Sequence, residues 1–147
     1  MKRIIYLILI ILQLITIFSF SSENGKKSSG RSKKVVNDII NVYEKITNKS
    51  VNNEKVMKKM EYPIRKCAHF TLYFVLGILV ILFLFTFNLK HYYLYTTILV
   101  YLAALLDEFH QTFVSNRSGN ITDTFIDISG CITSLLIIRL IRRKEND

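Results

Sequence analysis

Proline occurs once, tryptophan not at all and cysteine only twice, and each shortage closes off a class of protein. Cys67 and Cys131 form neither a CxxC pair nor the spacing of a zinc site, which argues against a disulfide scaffold or a metal-built fold. Their expected role is that of small apolar packing residues. No internal repeat and no low-complexity tract is present. Acidic residues are also scarce, 11 against 20 lysines and arginines, which leaves a net charge of +9. Such a surplus suits nucleic acid or a membrane surface. No groove-reading motif accompanies it, and the basic residues lie between and beside long apolar runs. Membrane anchoring is therefore the better explanation, and no nucleic-acid partner is expected.

Apolar residues are what the chain has in quantity, 50% of the total, and they are gathered into runs. Lys2 and Arg3 precede residues 4–20, which carry no charge and only Gln13, Thr16 and Ser19 as polar interruptions. A membrane span needs about 20 apolar residues and can manage with roughly 17. A cleaved secretory signal is the rival reading, since Ser19, Phe20 and Ser21 imitate a small-x-small cleavage site. Retention is favoured because the apolar stretch exceeds the usual signal length of about 7 to 15 residues. Residues 64–87, 92–114 and 121–141 read as three further spans, joined by short turns at 88–91 and 115–120. Pro63 suits the first turn of the second span, where its missing N–H costs nothing.

Between the first two spans, residues 22–63 are rich in Ser, Asn and Lys. Val35, Val36, Ile39, Ile40, Tyr43 and Ile46 recur at helical spacing with lysines opposite, which predicts a basic amphipathic helix lying on the membrane surface. A shorter second helix is expected around Val56, Met57 and Met60. Packing of these helices on the mouth of the bundle is the alternative. The expected fold is thus all-α, an integral membrane bundle of four transmembrane helices. Its parts are a first helix at 1–21, an extracytoplasmic basic loop at 22–63, a three-helix core at 64–141 and a tail at 142–147. Lys2, Arg3, Lys90, Arg139, Arg142, Arg143 and Lys144 favour both termini in the cytoplasm. The 12 basic and 5 acidic residues of 22–66 count against that orientation.

Residues 106–127 break the apolar pattern, and ionisable groups at membrane depth are a functional hypothesis by default. Four spans would bring the start of the second, the end of the third, the 115–120 loop and the start of the fourth to one face. Arg65, His69 and Tyr73 are four apart and form one stripe. Asp107 and Gln111 share a face, while Glu108 is turned about 100° from Asp107. Asp123, Asp127, Gly130, Cys131 and Ser134 make a polar and small stripe suited to close helix packing. Arg117 stands in the loop. Cys67 near the outer boundary and Cys131 deep in the bundle are too far apart for a disulfide.

Four carboxylates cannot all pair with two arginines and a histidine. The surplus invites a proton, a cation or a basic ligand, or else an ion-pair network that fastens the helices together. His69, Glu108, His110, Asp123 and Asp127 could chemically hold a metal, but none has the HExxH type of spacing, so no metal and no cofactor is expected. No activated serine or cysteine nucleophile is visible.

The pattern resembles the VanZ-like family of small bacterial membrane proteins. The matching pieces are Arg65, Lys66, Cys67, Ala68, His69 and Phe70 with Tyr73 and Gly77; Asp107, Glu108, Phe109, His110 and Gln111; Arg117, Ser118 and Gly119 leading to Asp123; and Gly130. Phe18 to Ser22 resembles the family's entry to its outer loop. Asp127 stands where the family usually has asparagine, and Ser134 where it has glycine. The resemblance implies a multi-span protein of the bacterial envelope associated with reduced susceptibility to glycopeptides such as teicoplanin.

On this basis the expected function is non-enzymatic: an outward polar pocket that binds or shields an anionic or peptide-like envelope component. Arg65 and Arg117 would donate to its phosphate or carboxylate, oriented by Asp107, Glu108 and Asp123. Expected partners are membrane lipids and a cell-wall precursor or glycopeptide-related ligand. The alternative is a membrane-embedded enzyme acting on a lipid-linked or peptidoglycan precursor, with His69 or Glu108 moving the proton. A proton- or cation-coupled transporter is less favoured, because the charges gather at one face instead of lining a path across the midplane.

Overall fold

The structure, a computed structural model, describes residues 1–117 and 119–146. Ser118, the middle residue of the loop motif, lies outside the described residues. Those residues form five helices and no strand: α1 (Lys2–Ser21), α2 (Gly25–Thr47), α3 (Asn53–Phe85), α4 (Tyr92–Gln111) and α5 (Ile121–Asn146). Three are long and apolar enough to cross a membrane, namely α1, the Glu54–Phe85 part of α3 and the Ile121–Lys144 part of α5. Helix α4 equals α1 in length, 20 residues, but its tyrosines, threonines and carboxylates make it more polar.

Asparagines punctuate the chain. The Asn24 side chain accepts from the Lys27 amide at 2.9 Å and caps α2; Asn52 does the same for α3 through the Lys55 amide at 3.1 Å. Asn48, Asn88 and Asn116 adopt positive φ angles of 51°, 51° and 58°, the left-handed conformation that asparagine tolerates better than most residues. These three positions turn the chain after α2, after α3 and after α4.

The break expected at Pro63 is absent. Helix α3 runs through it for 33 residues, so the short helix expected around Met57 and the second span are one element. Pro63 removes one backbone bond from the ladder. Against this, α2 packs alongside the preceding segment, with Ser29 and Lys33 both reaching Glu61. Ser32, Val36 and Ile40 of α2 are buried, while Val35, Ile39, Val42, Tyr43 and Ile46 remain exposed. One face of α2 is therefore spent on the bundle.

Helix α3 is the centre of the molecule, contacting all four other helices and most extensively α5. The core includes Ile17, Tyr73, Leu76, Ile81, Val100 and Cys131. Cys131 packs there as expected, whereas Cys67 is exposed; both thiols are free. Gly77 and Gly130 let α3 and α5 approach until a Cβ at Gly130 would press on the Phe70 carbonyl oxygen. At the far end of the bundle Arg3 donates to the Thr86 carbonyl at 2.7 Å, and Arg142 lies 4.2 Å from the Phe85 ring centroid. Basic residues from both ends of the chain thus meet there.

Candidate functional site

The opposite end collects the polar residues. Asp107, Glu108 and Gln111 are all buried, although 3.6 residues per turn spreads them over more than one face of α4. Gln111 reconciles them, because its amide nitrogen lies 3.0 Å from Asp107 Oδ2 and 3.4 Å from Glu108 Oε1. Ser21, the last residue of α1, donates its hydroxyl to the same Asp107 oxygen at 2.8 Å. Glu108 Oε2 accepts from the Asn120 amide at 2.8 Å. That bond folds the loop back over α4 so tightly that a Cβ on Gly119 would collide with the Glu108 carbonyl oxygen.

His69 and Tyr73 descend on α3 as their spacing predicts. His69 Nδ1 is 3.2 Å from Asp127 Oδ1 of α5, and Tyr73 is fully buried. Asp123 pairs with Lys66, a residue outside the predicted set. Arg65 pairs with Glu61 at 3.2 Å, and its Nε is buried without a partner. Arg117 donates to the Phe20 carbonyl at 2.9 Å and has no carboxylate partner among the described residues. Burial, reinforced by the like charge of Arg65, lowers the pKa of this loop guanidinium below its ordinary value.

Two cavities adjoin this cluster, and Arg65, His69 and Arg117 line both. The first, about 160 Å³, lies between α1, α2 and α3, with apolar walls from residues such as Ile17, Phe20, Ile64 and Leu72. Tyr73 and Asp107, both wholly buried, also line it. The second, about 180 Å³, is more polar and includes Lys66, Gln111, Asn120 and Asp123.

All nine predicted residues thus fall at one end of the bundle, but their pairing differs from expectation. Asp107, Glu108 and Asp123 do not orient the arginines. They are held by Ser21 with Gln111, by Asn120 and by Lys66, while the arginines turn to Glu61 and a carbonyl. His110, grouped earlier with the metal-capable residues, sits apart with its Nε2 3.0 Å from Ser22 Oγ. The sequence reasoning missed Ser21, Lys66, Glu61 and Asn120. Ser21 and Lys66 carried a signal, since the first belongs to the stretch that resembles the family's outer-loop entry and the second to the motif that begins at Arg65.

An all-helical bundle with three membrane-length apolar helices and a buried carboxylate–histidine cluster at one end fits a small membrane protein. A family model described as VanZ/LLP1 matches residues 4–142, and the chain belongs to that family. No curated protein and no solved structure matches the chain.

Proposed function

We propose that this chain is a multi-pass protein of the bacterial cell membrane whose outward cavity binds and shields an anionic, partly apolar envelope component. By doing so it lowers susceptibility to glycopeptides such as teicoplanin. Helix α4 is the third of the four spans: its outer face, from Leu94 through Leu106 to Phe109, is exposed and apolar, as a lipid contact requires. Both termini face the cytoplasm, in keeping with the basic residues gathered at that end. The exposed apolar residues and lysines of α2 suit the headgroup layer.

The observation that carries the reading is the state of the two arginines. Arg117 lines both cavities without a carboxylate, and Arg65 keeps a buried Nε unspent. Guanidinium groups in that condition are ready to fork onto a phosphate or carboxylate. The apolar wall of the first cavity takes the adjoining hydrocarbon or peptide portion. The test is teicoplanin susceptibility of a sensitive bacterium expressing wild type or Arg117→Ala at matched membrane levels. Protection by wild type and its loss in the variant are expected; equal protection by both would refute the role of Arg117.

One observation favours a second reading. The His69–Asp127 pair, beside Tyr73 and open to the cavity, has the form of an oriented general base. Incubating purified protein with lipid-linked precursors and following their mass tests it, and unchanged precursors remove it.

A further inference from the structure

Asp107 and Glu108 are consecutive, buried, and reached only by neutral donors: Ser21 and Gln111 for the first, Gln111 and the Asn120 amide for the second. The surrounding cations are engaged elsewhere, Lys66 with Asp123, Arg65 with Glu61 and Arg117 with a carbonyl. Two adjacent carboxylates buried without an ionic partner among the described residues call for a positive charge or for protons. Their hydrogen bonds also leave one oxygen of each weakly satisfied. Among the described residues Asp107 Oδ1 has no hydrogen-bond partner of good geometry, and Glu108 Oε1 takes only the long contact from Gln111. His69, tied through Nδ1 to Asp127, keeps Nε2.

One ligand atom each from His69, Asp107 and Glu108 lies within 4.8 Å of the others. A separate observation points to the same spot. The Tyr73 hydroxyl, on a side chain with no exposed surface, completes no well-formed hydrogen bond among the described residues; it faces Asp107 closely enough to interact with that carboxylate and lies in electrostatic range of Asp127 and Glu108. Asp127 Oδ2 is likewise buried and unpartnered. A wholly buried hydroxyl beside Asp107 and an unsatisfied carboxylate oxygen on the partner of His69 mark unmet polar demand at this spot, which an ion with its remaining ligands would satisfy.

We infer that His69, Asp107 and Glu108 bind one divalent transition-metal ion, with zinc the best match, and that Asp127 orients the imidazole. One imidazole and two carboxylates form a donor set for zinc or manganese, whereas calcium and magnesium prefer all-oxygen sites. Two negative charges offset the ion's two positive ones. Tetrahedral zinc with bonds of about 2.0 to 2.2 Å sets its ligand atoms roughly 3.3 to 3.6 Å apart, so the present spread closes by side-chain rotation. A carboxylate on the far nitrogen of a metal-bound histidine is the usual support for such a ligand.

The test uses the full chain in detergent, loaded with zinc, freed of excess and assayed by elemental analysis and chelator competition. Wild type should hold about one zinc per chain. Glu108→Gln and His69→Ala should lose it, and the isosteric Asp127→Asn should bind roughly 10- to 100-fold more weakly. Arg117→Ala should keep its zinc, so failure here is separable from failure of the anion-binding reading. Wild type without zinc, or zinc held equally by wild type and all three site variants, overturns the inference. Asp127→Asn, which alters no ligand, decides the matter if a ligand variant fails to elute as a single species.

Discussion

Gly130→Ala adds one methyl group where α5 crosses α3. The new Cβ would press on the Phe70 carbonyl oxygen and stand 3.0 Å from the Phe74 nitrogen. Both neighbours are backbone atoms inside a helix, so no rotamer change relieves the contact and the two helices must separate. Overpacking of this kind costs about 1 to 3 kcal/mol, and rigid neighbours place it in the upper part of that range. Alanine returns about 1 kcal/mol of helix propensity. The net loss of about 1 to 2 kcal/mol corresponds to a fall of roughly 2 to 8 °C in melting midpoint for a chain of this length. The same substitution at Gly30, in α2, meets nothing within 4 Å. There only propensity acts, and the midpoint should rise, by an amount corresponding to about 0.5 to 1 kcal/mol. Thermal unfolding of the two variants in one detergent compares identical chemistry in opposite surroundings. A Gly130→Ala midpoint at or above wild type would refute the claim that backbone contact sets this crossing.

Two further results are expected. Ser21→Ala withdraws a hydroxyl donor from buried Asp107 Oδ2, which should cost about 1 to 3 kcal/mol in the same melting experiment; an unchanged midpoint would mean that α1 is not fastened there. Cys67 is exposed at the end of the bundle that carries the site and Cys131 is buried, so a membrane-impermeant maleimide applied to intact cells should label Cys67 alone. Labelling that appears only after permeabilisation would reverse the proposed orientation.

Much of this arrangement was legible because a helix face is a local property. Four-residue spacing alone places Arg65, His69 and Tyr73 in one stripe, and short turns alone bring 107–111 near 121–127. The partner across an interface is not local. Lys66 lies about 100° from the Arg65 stripe and so falls outside the pocket that four-residue spacing defines, yet that rotation is what turns it toward Asp123 on α5. Pro63 read as a beginning because proline favours the first helical turn. Asn52 and Glu54 carry an ordinary helix-start signal and the short helix is expected there, but only tertiary contact with α2 explains why that helix continues through Pro63 into the span. Orienting the arginines by the carboxylates rests on counting charges; neutral donors from Ser21, Gln111 and Asn120 hold Asp107 and Glu108 instead, and Lys66 holds Asp123.

The bond from Ser21 to Asp107 also bears on the order in which the protein assembles. In the four-span reading α4 must carry two carboxylates toward the hydrocarbon, where an aspartate alone is opposed by about 2.5 to 3.5 kcal/mol at the centre of a helix. Ser21 and His69 are synthesised before Asp107. When α4 leaves the ribosome, the Ser21 hydroxyl that binds Asp107 is already at the membrane face, so α4 enters against a waiting partner instead of against lipid alone.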